Sequence, residues 1–407
     1  MLVDQIISNH LVEGTAKAGE IVTVSVDRIY IQDGNSPTIA RLFAEHQINQ
    51  VSDPDRIAVF FDHSVIWPNV DIANRIREAE AFCRKLGLQV FRAGEGISHV
   101  VAAENGWYEP GAIVLGTDSH TCTGGATQAL ALGMGATDVL AAMITGETWL
   151  KCPETVVLKV RGTPGNNTRA KDVMLYTLGS FGQDCFLYRA IEWCGDWVSS
   201  LTSDSAQTIA NMAVEMGAKC AFLPPVGIHE ASMTKLPSAL PSEEVTVLEV
   251  DIDGLPPMLA KPDSPSNAVP LDECTGLPIN YVFVGSCANS RLEDIAEAAR
   301  ALHGQKIHPD VHMLVTPGSK RIYLEAVNRG YVESLVMAGA IVTPPGCGAC
   351  LGTQGSIPAT GDRVLSTMNR NFLGRMGNRE AEIYLSSPLV AARAAVEGCI
   401  PSSRDLP

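Results

Sequence analysis

Three cysteines stand where apolar runs open into loops. Cys287 ends YVFVGSC and leads into ANSRLED, while Cys347 and Cys350 follow GAIVTPPG in the stretch PGCGAC. Loops leaving a rigid sheet are where a fold holds side chains for use. Zinc takes four nitrogen or sulfur ligands, usually as two close pairs, and here a second pair is missing. A thioredoxin-like dithiol would open a helix near the chain start, unlike this one. Electron-transfer [4Fe–4S] clusters take four cysteines; three would leave one iron able to act as a Lewis acid on a substrate. On spacing alone, a structural pair, a redox pair, a zinc half-site and a cluster all remain open.

Other residues carry acid–base chemistry. GTDSHT packs Asp118, Ser119 and His120 together after a β-rich run. A carboxylate beside an imidazole can exchange a proton with a substrate hydroxyl. The bland alternative is a helix N-cap, a role that both Asp and Ser favour. FFDHS repeats the arrangement with Asp62 and His63, and GEGISHV adds His99 after a glycine-rich turn. One such histidine is usually a core residue, but three at the ends of β-rich runs are harder to dismiss. NRNFLGR places Arg370 and Arg375 in one loop, either a clamp for a dianion or an ordinary salt-bridged surface.

Short β-rich runs alternate with helical patterns, which predicts layered α/β architecture. EIVTVSVDRIYI, IAVFFD, LQVFRA, AIVLGTD and TVVLKVRG read as strands. VDIANRIREAEAFCRKLG reads as an amphipathic helix closing on Gly87, and GATQALALGMGATDVLAAMITGETWL as small-residue helices on a sheet. The Pro- and Ser-rich GLPPMLAKPDSPSNAVPLDECTGLPI reads as an extended connection. Three α/β blocks are expected, over residues 1–160, 161–275 and 276–407.

The 407 residues are 46% hydrophobic and 18% charged, with a net charge of −15. That charge repels phosphate backbones, so nucleic acid is not an expected partner. No apolar run approaches the roughly 20 residues that span a bilayer. MLVDQIISNHLVEG reads as an amphipathic helix with Ile6, Ile7 and Leu11 on one side rather than an export signal, so a cytoplasmic location is expected. Eleven cysteines, irregularly spaced, should then be mostly free thiols, with Cys83, Cys185, Cys194, Cys220 and Cys399 as small apolar residues.

In order, QDGNSP, DHS, GISHV, GTDSHTCT, NMAVEMGAK, VGSCANSRLED, CGACLG and NRNFLGRMGN resemble the aconitase superfamily, in particular the large subunits of isopropylmalate dehydratases and homoaconitases. The resemblance covers nearly the whole chain. It implies three-layer α/β/α domains around an iron–sulfur site, without the mobile swivelling domain. It implies that Cys287, Cys347 and Cys350 hold one [4Fe–4S] cluster with an open iron, with Asn289 and Asn369 hydrogen-bonded around it. Asp62–His63 and Asp118–His120 would be acid–base pairs, and His99 and Glu215 would line the cluster. Ser119, Arg370 and Arg375 would meet a small hydroxy-carboxylate, and Gln32 and Asp33 would lie at the mouth. A serine base and further arginines would come from a separate small subunit, in a heterodimer or heterotetramer. The implied reaction is dehydration and rehydration of a 2- or 3-hydroxy acid, with 3-isopropylmalate first.

Four features depart from that pattern. Gln32 stands where those dehydratases commonly carry His, and Ala288 replaces a usual Thr. SDSAQTIANM lacks a Gly-Arg pair, and CLGTQG continues differently after the last cysteine. Such positions border the implied pocket, so homoaconitate, maleate, citraconate and dimethylmalate stand beside isopropylmalate. A non-catalytic binding protein on the same fold is the alternative of another class, opposed by the intact ligand and acid–base residues.

Overall fold

Runs such as RIYIQ, IAVF and YVFV hold β-branched and aromatic residues with little polar interruption, the pattern of strands buried on both faces of a parallel sheet. The computed structural model describes residues 1–225 and 245–407. They form two compact units, one from 1–93, 102–161 and 184–250, the other from 94–101, 162–183 and 251–407. The architecture is the mixed α/β one that the alternation predicts.

The first unit centres on five strands, Arg28–Gln32, Ile57–Phe60, Gln89–Phe91, Ile113–Gly116 and Leu130–Gly133. All pairings are parallel, in the spatial order third, second, first, fourth, fifth. The chain builds outward from the first strand, then returns to build the other way. Loops leaving the first and fourth strands therefore diverge, and a crevice opens between them at the carboxyl ends. The helix Val70–Leu86 starts on Asn69, whose side chain accepts from Ile72 N, and stops at Gly87 in the left-handed region. It buries Ile76, Ala79, Cys83 and Leu86, one stripe at helical spacing. Two further sheets complete the unit. One is antiparallel, built from Leu11–Glu13, Ile21–Ser25 and Glu147–Lys151; the other orders Cys220–Phe222, Ala190–Cys194, Thr155–Arg161 and Thr246–Asp251.

Three local expectations change here. Residues 20–31 are two strands, not one, and Ile21–Ser25 and Arg28–Gln32 enter different sheets. The break falls at Val26–Asp27, where Asp27 Oδ2 accepts from Ile113 N at 2.8 Å and pairs with His10 Nε2 at 2.8 Å. The first helix ends at Asn9, so Leu11 lies on a strand. Residues 125–150, expected as helices, hold the end of a 3-10 segment, the strand Leu130–Gly133, the helix Ala136–Thr145 and most of Glu147–Lys151.

The second unit has a seven-stranded sheet. Its parallel core is Tyr281–Val284, His312–Val315, Ile341–Val342, Arg363–Ser366 and Glu382–Leu385. These again lie third, second, first, fourth, fifth. The stretch expected as a connection instead forms Met258–Ala260 and Ala268–Pro270, an antiparallel pair added beside Glu382–Leu385. Val282, Val284, Ile295, Leu302, Val315 and Leu365 are among its buried core. Among the described residues, no helix is long and apolar enough to cross a membrane.

Candidate active site

In the first unit the carboxyl-end loops hold acids and imidazoles. The first strand ends in Gln32 and Asp33, the second leads to Asp62 and His63, and the fourth leads to Asp118, Ser119 and His120. Gln32 Nε2 donates to Asp118 Oδ2 at 2.7 Å, which ties the first strand's end to the fourth's across the crevice. His63 Nδ1 lies 2.7 Å from Asp62 Oδ1. A carboxylate only accepts, so this contact puts a proton on Nδ1 and leaves proton exchange to Nε2. Asp33 braces the same loop, its carboxylate accepting from His63 N at 3.2 Å and Ser64 N at 2.8 Å.

Asp118 does cap the 3-10 segment Ser119–Thr127, accepting from His120 N at 2.7 Å. The cap and the acid–base pair are one structure, because Asp118 Oδ1 also lies 3.3 Å from His120 Nδ1. On the other side of the ring, His120 Nε2 meets Glu215 Oε1 at 2.8 Å. Glu215 is buried, on the short turn Ala213–Met216. A buried imidazole with a carboxylate at each nitrogen can hold a proton and give it up along a fixed line. Ser119 is exposed at the start of the segment.

In the second unit the carboxyl-end loops hold sulfurs, amides and guanidinium groups. Cys287 follows the first strand, Cys347 and Cys350 the third, Asn369 and Arg370 the fourth, with Arg375 further along that loop. Asn369 Nδ2 lies 3.5 Å from Cys287 Sγ, and Arg375 Nη2 donates to Cys350 Sγ at 3.5 Å. Asn289 Nδ2 donates to Asp294 Oδ1 at 2.9 Å, at the start of the next helix. Cys347 immediately precedes a 3-10 turn over Gly348–Leu351. At Gly348 and Gly352 φ is positive, and an added Cβ would lie 2.5 Å from Thr316 Oγ1 and from Met376 O. Only glycine lets the thiol loop sit this close.

Three sulfurs in short, clamped loops, two of them facing N–H donors, suit thiolate ligands to a soft metal centre. Arg375 Nε is buried without a hydrogen-bond partner among the described residues, so this loop has donor capacity to offer an anionic group. Elsewhere, in the first unit, burial pushes the thiols of Cys83 and Cys220 each up to about 12. His99 belongs to this unit. Its segment pairs with the loop after the second strand, Gly96 bridging Ser319 and Ile97 N donating to Gly318 O at 2.8 Å. The helix Ser98–Glu104 begins there, and His99 is 3% exposed.

Several supporting residues went unread in the sequence. Lys171 is fully buried, and its Nζ donates to Met368 O at 2.6 Å and Thr367 O at 3.1 Å, just before Asn369. Asp172 beside it accepts from Arg169 N and Met258 N, and burial drives its carboxyl up to about 7. Adjacent charges on the otherwise apolar AKDVMLYTLG were the available clue. Thr367 Oγ1 bonds both N and O of Gly285, locking the first and fourth strand ends together. In the first unit, Asn211 Nδ2 donates to Thr123 Oγ1, which donates to His120 O.

The profile of the aconitase family (aconitate hydratase) matches residues 4–398. The chain is 39% identical over 401 residues to 3-isopropylmalate dehydratase large subunit 1 of Methanopyrus kandleri, covering 96% of this chain and 95% of the relative. It is 40% identical over 402 residues to the large subunit of that dehydratase from Thermoanaerobacter pseudethanolicus, with 96% of each covered. The aconitase X of Thermococcus kodakaraensis, in its holo-form crystal structure, shares the fold at a TM-score of 0.57 with 14% identity, over 88% of this chain and 87% of that one. The chain belongs to the aconitase family and is an aconitase-type hydro-lyase, similar over nearly its whole length to 3-isopropylmalate dehydratase large subunits.

Proposed function

We propose that this chain is the cluster-bearing large subunit of a hydro-lyase for a small hydroxy-dicarboxylate, with 3-isopropylmalate, an intermediate of leucine synthesis, as the first substrate. The observation that carries the reading is the placement of Cys287, Cys347 and Cys350 at carboxyl ends of parallel strands in a chain 39% identical to such large subunits. Those three sulfurs would hold one [4Fe–4S] cluster, which when bound would supply a Lewis-acidic iron for the substrate's hydroxyl and carboxylate. Asn369 and Arg375 direct N–H groups at the ligand sulfurs, and Arg370 takes substrate carboxylate.

Proton work falls to the first unit. The Nε2–Glu215 contact of His120 stores the proton that lets hydroxide leave as water, and Asp118 keeps the ring aligned. The Asp62–His63 pair is the second such group. His99 lines the cluster side of the second unit, Ser119 meets substrate, and Gln32 and Asp33 stand at the mouth. The base for the carbon-bound proton comes from a small swivelling subunit, so the chain alone has no turnover. A second substrate reading rests on Gln32, whose amide is engaged with Asp118 where the dehydratases commonly have histidine. It admits homoaconitate, maleate, citraconate and dimethylmalate.

The test is hydration and dehydration of these acids by the anaerobically purified chain, with and without a small subunit. Turnover of isopropylmalate only in the pair is the expected result. Turnover by the chain alone would remove the partner from the reading, and preference for another acid would reassign the substrate.

A further inference from the structure

We propose that Ser286 is a positioning residue for the sulfur of Cys287, its hydroxyl fixing the Asn369 amide so that an N–H rather than the carbonyl meets that sulfur. The inference rests on the reading of Cys287 as a cluster ligand. Two independent features single Ser286 out. It is 1% exposed, and it adopts a φ of +75°, a backbone region that strains any residue with a Cβ and suits glycine. Strain of this kind, held in a buried loop beside reactive groups, is the mark of a side chain kept for what it does.

What it does follows from the contacts. Cys287 Sγ lies 3.5 Å from Asn369 Nδ2 and 3.7 Å from Oδ1, so the amide alone could present either atom. A thiol can donate to Oδ1, whereas a thiolate can only accept, and it needs Nδ2. Ser286 Oγ lies 2.7 Å from Asn369 Oδ1 and only 4.0 Å from Cys287 Sγ. By donating to Oδ1 the hydroxyl occupies the carbonyl and turns the N–H toward sulfur. The flanking backbone is already fixed by Thr367 on Gly285 and by Lys171 on Thr367 and Met368. Rotation of the amide is the freedom that remains, and Ser286 settles it. N–H donors to ligand sulfur stabilise the more reduced cluster, so the effect reaches the electronic properties of the site.

Four variants test this: Ser286→Gly, Ser286→Ala, Asn369→Ala and the double variant Ser286→Gly with Asn369→Ala. In the iron-free chain labelled with [15N]asparagine, the Asn369 side-chain amide signal should move in both serine variants and exchange with water at least about 10-fold faster. In protein loaded anaerobically, both should lower the cluster's midpoint potential and lose iron about 10-fold faster. The double variant should be no worse than Asn369→Ala, because Ser286 acts through that amide. Glycine relieves the strain, so the Gly variant keeps the test open should the Ala variant fold poorly. A Gly variant with the native amide signal, or additive effects in the double variant, would overturn the inference. An amide that responds in a chain that takes up no iron would uphold the orientation by Ser286 and sink the cluster reading instead.

Discussion

The two parallel sheets share one strand order and differ in what their carboxyl-end loops carry. In the first unit the loops after strands one, two and four hold Asp33, Asp62, His63, Asp118 and His120; in the second, those after strands one, three and four hold Cys287, Cys347, Cys350, Asn369 and Arg370. The same crevice between first and fourth strands is tied by an amide on a carboxylate in one case, Gln32 to Asp118. In the other it is tied by an amide at a thiol, Asn369 to Cys287. Topology supplies the place and residue type supplies the chemistry. On the proposed reading, the first sheet's loops move protons and the second's hold a metal centre and an anion.

This division can be broken most severely at the sulfurs. Cys347→Ser or Cys350→Ser should abolish stable iron binding and activity together, whereas Cys83→Ala, deep in the first unit's core, should leave iron per chain unchanged. Iron and sulfide analysis reads both. In the first unit the opposite signature is expected. Glu215→Gln removes the carboxylate at His120 Nε2 and should lower kcat by about 10²- to 10⁴-fold with full iron content, measured in the reconstituted pair.

How legible was this division beforehand? The thiol loops and the Asp-His pairs stood out because polar, reactive types interrupt apolar runs at strand ends. The helix Val70–Leu86 was legible through its stripe and its terminal Gly87. Leu130–Gly133 was not, since LALG has no β-branched residue and becomes a strand only by pairing with Ile113–Gly116. Met258–Ala260 and Ala268–Pro270 were masked by prolines and serines, and they too are made by tertiary pairing. Ser286 and Asn211 were silent, and Lys171 was marked only by its charge, because their work depends on backbone conformation and on partners about 80 to 200 positions away.

The underpinning of the second sheet offers a smaller test. Lys171→Met leaves the carbonyls of Thr367 and Met368 buried and short of a donor, at about 1–3 kcal/mol each. Lower stability in urea, with looser iron binding, is expected; unchanged values in both would detach Lys171 from the site.

A further test separates the units by pH. Burial raises the Asp172 carboxyl from 3.8 to about 7. The folded state therefore holds a proton the unfolded chain releases, and the second unit should lose stability as pH rises from about 4 to 7. In the first unit the hydrogen bond to Asp27 raises His10 above 6.5. Asp27 is lowered below 3.8, contacts with His10 and Ile113 N outweighing burial. That pair stabilises most between those values, fading as Asp27 protonates in acid and as His10 loses its proton above 6.5. Asp172→Asn should flatten the slope below pH 7 and His10→Asn the slope above it, in denaturation followed across pH.

The most direct measurement is iron and acid-labile sulfide per chain after anaerobic purification, in the native sequence and in Cys287→Ser, with an EPR spectrum after mild oxidation. The account predicts close to four of each in the native chain, a three-iron signal on oxidation, and loss of both in the variant. Zinc in place of iron, or an unchanged metal content in Cys287→Ser, would contradict it.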